Sequence, residues 1–253
     1  MKTFNLDCEE NSKVVASDNL KYTITYFDIH FGGTSSRGIL AYAGADWTPV
    51  YPDWPAQKAS LPFEVLPVLT VIHPDGKKLE LSENVAIDIF LAKQFGLHGN
   101  NAWEEALINS FYSNSSALFS KEAMSNLFWE SKDKGPEEKA KNLDKFVNET
   151  LPNWAKIHEA HLKNNGLNGH YVGNRTTLAD IKMTTALTAI EIVIGKERVA
   201  TAISKTETPG IVHVRANVES KSSYATWVNS DKYKELNEKS AAMMKQHHPE
   251  WSQ

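Results

Sequence analysis

Tyr26 stands next to last in the alternating run KYTITYF at residues 21–27, and Ser35 and Ser36 close the breaker HFGGTSS. A hydroxyl at the border between a strand and the next helix can donate a hydrogen bond to an anion. Tyr26 stands nearer than Tyr22 to the strand's C-terminal edge, where ligands collect in open α/β sheets. Ser35 and Ser36 suit the capping of that helix. Pro67 lies inside the apolar run VLPVLTVI, where a proline needs an edge position or an exceptional geometry. Thr177 and Asp180, three apart in TTLAD, have the form of an N-terminal capping box, which serves the backbone and implies no catalysis. The pairs His158 with His161 and His247 with His248 lack the Cys or acidic spacing of a metal site, and no metal is expected. Cys8, the single cysteine, cannot form an internal disulfide.

These side chains need elements to hold them. Residues 21–27 read as a buried strand, and SSRGILAYAGA reads as a helix packed upon it. Pro49, Pro52 and Pro55 exclude a long helix over residues 46–60 and imply a second strand followed by an irregular surface segment. VLPVLTVI and KKLELS, joined by Pro-Asp-Gly, read as a hairpin, and Asn84 opens the apolar-striped helix VAIDIFLAKQFGL. The order is β-α-β, then β-β-α. After Gly96 the pattern turns helical, over residues 102–131, 136–163, 177–194 and 209–246. The expected organisation is an N-terminal extension over 1–19, an α/β domain over 20–97 and an all-helical domain over 103–253, with LHGNNA as the linker.

Composition narrows the function. Hydrophobic residues make up 41% and charged residues 23%, an ordinary globular balance, and the net charge of -4 argues against binding a nucleic-acid backbone. No window approaches the roughly 18 apolar residues of a membrane helix. The N-terminus MKTFNLDCEENSKVV lacks an apolar core, so a soluble, cytoplasmic protein with a small-molecule partner is expected.

Four local sequences in this order resemble the soluble glutathione transferases, most closely their tyrosine-dependent sigma class. TYFDIH is similar to the strand that ends in the catalytic tyrosine; DWPAQKASLPFEVLPVL to the glutathione loop, helix and cis-proline strand; LSENVAIDIFLAKQFGL to the turn into the closing helix; and VGNRTTLADI to the helical-domain capping box. The resemblance implies a thioredoxin-like N-terminal domain that holds glutathione, and an all-α C-terminal domain. It also implies a homodimer, with glutathione as co-substrate and hydrophobic electrophiles as second substrates.

By this resemblance Tyr26 donates to the glutathione sulfur, with Ser35 or Ser36 as the rival donor, since other classes of the superfamily use a serine near the start of the following helix. A free thiol has a pKa of about 8.5, and a charge-assisted hydrogen bond of roughly 1.5–3 kcal/mol lowers it by one or two units. Leu66, before Pro67, would pair its backbone with the cysteinyl main chain. Glu83 would meet the γ-glutamyl ammonium, and Asn84 with the helix N-terminus its carboxylate. Trp54 and Lys58 would meet the glycyl carboxylate. Tyr112 and Phe119 would line the second-substrate pocket. The family's arginine six residues after the tyrosine falls on Gly32, which leaves Arg37 or His30 as stand-ins. Two alternatives share the fold: a glutathione-dependent isomerase, and a non-catalytic binding module, which the Gly32 replacement favours.

Overall fold

The computed structural model describes residues 2–249. Strand β1, Lys21–Thr25, alternates Tyr22 and Ile24 into the core with more exposed neighbours, as a half-buried strand must. Helix α2, Thr34–Ala43, crosses over to β2, Asp46–Val50, which pairs parallel to β1. Gly44 stops α2 in the left-handed region, φ 67°, and its N–H and that of Ala45 close on Ala41 and Leu40. Strands β3, Val68–Ile72, and β4, Lys78–Ser82, form the expected hairpin, with Gly76 at φ 92° in its turn. The sheet order is β2-β1-β3-β4, with β3 antiparallel to β1. Helix α3, Asn84–Gln94, buries Ile87, Asp88 and Leu91 and packs against α2.

The register decides where chemistry can occur. Thr25 pairs with both Val50 and Val68, and Val68 pairs with Ser82. The C-terminal ends of β1, β2 and β4 and the start of β3 therefore share one edge of the sheet. Tyr26, Leu66–Pro67 and Glu83–Asn84 all follow or precede those ends directly. Tyr26 extends the ladder by one bond, its N–H donating to Val50 O at 3.0 Å.

The N-terminal residues are more ordered than a loose extension. Cys8–Val15 form helix α1, capped by Asp7, which accepts from Glu10 N. Lys77 pairs with Glu10 at 2.7 Å, and Gln94 Nε2 donates to Val15 O at 2.8 Å. These partners lie more than sixty residues along the chain, which is why local sequence patterns give no sign of them. Together with the sheet they make up the first of two compact units, which divide between Phe95 and Gly96.

The second unit is helical. Helix α4, Ala102–Ala117, runs into a π-helical stretch, Leu118–Trp129; α5, Pro136–Lys145, passes through a π turn, Phe146–Thr150, into α6, Leu151–Asn164. Helix α7, Leu178–Ile194, is buried along nearly its whole length and carries the capping box of Thr177 and Asp180. Helix α8, Lys196–Ala200, follows. The helical stretch expected over 209–246 consists of three helices: α9, Pro209–Ser220; α10, Ser222–Val228; and α11, Asp231–His247. Extended backbone at Lys221 and Ser230 makes the breaks, and the Ser230 side chain accepts from Tyr233 N to start α11. No described helix is long and apolar enough to cross a membrane.

Candidate functional site

Tyr26 leaves the sheet half-buried, and its ring lies against the loop that leads into α2. The Gly32 N–H donates to Tyr26 Oη at 3.1 Å, which leaves the phenolic proton for another acceptor. Burial raises the Tyr26 pKa above its ordinary value, against the opposing pull of the Gly32 N–H and the Arg37 guanidinium. A neutral hydroxyl donor follows.

Glycines at 32 and 33 make this approach possible. An added Cβ at Gly32 would lie 2.8 Å from Tyr26 Oη, and one at Gly33 would lie 2.9 Å from Tyr26 Cδ1. Asn84, the first residue of α3, donates its Nδ2 to Gly32 O. The amide expected to meet a ligand thus secures the loop beside the tyrosine.

On the other side, rings continue the site. Tyr26 meets Phe27 edge to face at 5.4 Å, Phe27 meets Trp54 at 5.5 Å, and Lys58 Nζ lies 5.9 Å from the Trp54 ring. Lys58 is exposed in a short 3-10 turn, Lys58–Ser60, so its ammonium is accessible to an anion. The peptide bond between Leu66 and Pro67 is cis, as is that between Trp54 and Pro55. Glu83 is exposed, caps nothing with its side chain and sits at φ 77°, a region that costs a non-glycine residue roughly 1–3 kcal/mol.

Ser35 and Ser36 do something else. Both are buried within α2, and each donates at 2.5 Å to one oxygen of Asp88, itself buried on α3. They neither cap the helix, whose first residue is Thr34, nor present a free hydroxyl proton. Asp88 has no assigned role in the sequence reading. Its signal is an acid at a buried position beside Ile87, in step with Leu91 on the apolar stripe of α3.

Of the residues expected at the second-substrate pocket, Tyr112 is buried with Lys182 Nζ 4.9 Å from its ring, and Phe119 is half-buried on the π-helical stretch. His158 is a packing residue. Its Nδ1 meets Tyr171 Oη at 2.7 Å, its Nε2 meets Asn114 Oδ1 at 2.9 Å, and its ring stacks on Trp154 at 3.9 Å.

Known proteins resemble this chain in both sequence and fold. Residues 120–231 match the family model "Glutathione S-transferase, C-terminal domain". The chain is 48% identical over 92 residues to probable glutathione S-transferase 7 of Caenorhabditis elegans, a match covering 35% of this chain and 42% of that one. Against this and the next nematode relative the chain spans 42% and 44% of their length. It is 31% identical over 163 residues to a glutathione S-transferase of Anopheles gambiae, covering 63% of this chain and 74% of that one. Among solved structures, a Nu-class enzyme of Haemonchus contortus superposes with a TM-score of 0.66 at 29% identity, over 83% of this chain and 97% of its own. A sigma-class enzyme of Fasciola hepatica gives 0.66 at 25% identity, over 83% and 96%. With the sheet, the helical unit and the mosquito relative all in agreement, this chain belongs to the glutathione S-transferase family.

Proposed function

We propose that this chain is a tyrosine-dependent glutathione transferase of the sigma type, acting in the cytoplasm as a homodimer, which adds glutathione thiolate to hydrophobic electrophiles. One observation carries this: the Tyr26 hydroxyl stands at the ligand-collecting end of β1, its oxygen occupied by the Gly32 N–H and its proton free to be given. In the proposed reaction the glutathione thiol releases its proton to solvent water, while Tyr26 keeps its own and donates it as a hydrogen bond that favours the resulting thiolate. The sulfur electron pair then bonds to the electrophilic carbon, and the leaving group departs with its own bonding pair. Because burial keeps Tyr26 neutral, it acts as a donor and not as the base that removes the thiol proton.

Recognition of the tripeptide falls to the residues along the same edge. Lys58 and Trp54 receive the glycyl carboxylate, the backbone of Leu66 beside Pro67 pairs with the cysteinyl main chain, and Glu83 meets the γ-glutamyl ammonium. The start of α3 offers its N–H groups to the remaining carboxylate. Asn84 contributes through the loop it holds, since its amide donates to Gly32 O. In the helical unit, half-buried Phe119 is a better candidate for second-substrate contact than buried Tyr112.

The test is glutathione affinity, the pKa of the bound thiol, and conjugation of a chloronitrobenzene, for the parent and for Tyr26→Phe. The variant is expected to keep affinity while the thiol pKa rises by one or two units and conjugation falls about ten- to a hundredfold. Unchanged rate and thiol acidity would remove Tyr26 from the mechanism. A parent that does not bind glutathione would end the reading altogether.

A further inference from the structure

Arg37 is among the largest fully buried side chains of the chain, with 1% of its surface exposed, yet it lies on the helix that follows the Tyr26 loop. Its Nη1 donates to Ile29 O at 2.7 Å and its Nη2 to Phe27 O at 3.0 Å. Both carbonyls belong to the loop that begins directly after Tyr26. Its Cζ stands 5.6 Å from the centre of the Tyr26 ring, and a Cβ added at Gly33 would lie 3.1 Å from that Cζ. Loop, ring and guanidinium are thus packed with no room for a side chain at 33.

We propose that Arg37 is the positioning residue for Tyr26: its fork holds the loop so that the Gly32 N–H meets the hydroxyl oxygen, and its buried charge strengthens the hydroxyl as a donor to an anionic sulfur. The proposal rests on Tyr26 being the thiol activator. Two physical effects converge on the same oxygen. A hydroxyl that accepts one hydrogen bond donates the next more strongly, because the chain of dipoles polarises cooperatively. A positive charge in a medium that screens it poorly favours negative charge on the neighbouring hydroxyl oxygen, which makes that hydroxyl a stronger donor to the sulfur. Burial pulls the Arg37 pKa below its ordinary value, and Tyr51, Tyr26 and Asp28 oppose that pull. Together with the Gly32 amide, Arg37 offsets part of the rise that burial imposes on Tyr26.

A residue that merely holds a loop would alter stability and leave the acidity of the bound thiol alone. The experiment therefore compares Arg37→Met, Arg37→Lys and Gly32→Ala in the full chain, with Tyr26→Phe as reference. Thermal melts are recorded beside the thiolate absorbance of bound glutathione and the pH profile of kcat/KM. Arg37→Met is expected to raise the bound-thiol pKa by about one unit, and Arg37→Lys, which keeps charge without the fork, by less. Gly32→Ala, whose Cβ must displace the Tyr26 hydroxyl, is expected to raise it with Arg37 intact. Combined with Tyr26→Phe, the Arg37 substitutions are expected to add nothing, since they act through the hydroxyl. If Tyr26→Phe shifts the thiol and the folded Arg37 and Gly32 variants do not, the proposal is overturned while the tyrosine mechanism stands. If Tyr26→Phe shifts nothing, both fall. Should Arg37→Met fail to fold, Arg37→Lys and Gly32→Ala carry the same decision.

Discussion

At the scale of single residues, Glu83 shows how a site can hold strain. Its φ of 77° suits glycine, yet a glutamate stands there, exposed and with no side-chain bond to the helix it precedes. Structure alone gives the carboxylate nothing to do, which fits a role toward a ligand ammonium. Glu83→Gly is therefore expected to raise stability by up to about 1 kcal/mol, the relieved strain exceeding the greater backbone entropy of glycine. Affinity for glutathione is expected to fall. Urea unfolding and titration calorimetry measure the two, and a variant that loses stability while keeping affinity would refute the assignment. The sequence singles out Pro67 as a proline within an apolar run, whereas Tyr26, an aromatic of the kind strands commonly bury, is singled out by its resemblance to the family's first strand. The pairing of Ser35 and Ser36 with Asp88 could not be read there, because it joins residues more than fifty positions apart, and the same serines satisfy a local capping rule equally well.

Among elements, the strands and their order are legible from alternation and turn residues, since each depends on neighbours in the chain. The divided C-terminal helix is not. The stretch from 209 to 246 contains no proline after Pro209 and no glycine after Gly210 to mark a break, and the one local device at the breaks is the Ser230 side chain that caps α11. The start of α9 is decided from afar. Glu159, buried on α6, accepts from the N–H groups of Gly210 at 3.0 Å and Ile211 at 3.1 Å, and so caps a helix about fifty residues later. A Cβ at Gly210 would fall 2.9 Å from Glu159 Oε2, which explains the glycine within the first turn. Glu159→Ala leaves two buried donors without acceptors and is expected to cost about 2–4 kcal/mol of unfolding free energy, with glutathione affinity unchanged. Hydrogen exchange at the α9 amides offers the sharper measurement. Protection equal to the parent's would show that the cap contributes nothing.

At the scale of the whole molecule, two buried groups joined through Tyr171 respond to acid in opposite senses. Asp180 accepts from Tyr171 N at 2.8 Å, and His158 meets the Tyr171 hydroxyl. Burial raises the Asp180 pKa from 3.8 to about 6, so its stabilising contribution is complete below about pH 4 and is lost as pH rises through 6. Burial chiefly, with His161 second, depresses His158 from 6.5 to about 3; its contribution is present above pH 6.5 and is lost as pH falls toward 3. From pH 7 to 4 the two change stability by about 2–3 kcal/mol each, in opposite directions. The parent is therefore expected to show a nearly flat profile from this pair. Asp180→Asn should lose stability relative to the parent as pH falls through that range, and His158→Asn should gain it. Urea unfolding at several pH values decides the matter, and parallel profiles for both variants would disprove it. The contact between Gly32 and Tyr26 couples two positions of the chain. Because any side chain at 32 would collide with the tyrosine in its present pose, an arginine there and this arrangement of the hydroxyl exclude one another. A side chain at 32 and the present hydroxyl pose are therefore one choice and not two: whatever occupies 32 sets where the Tyr26 oxygen can lie.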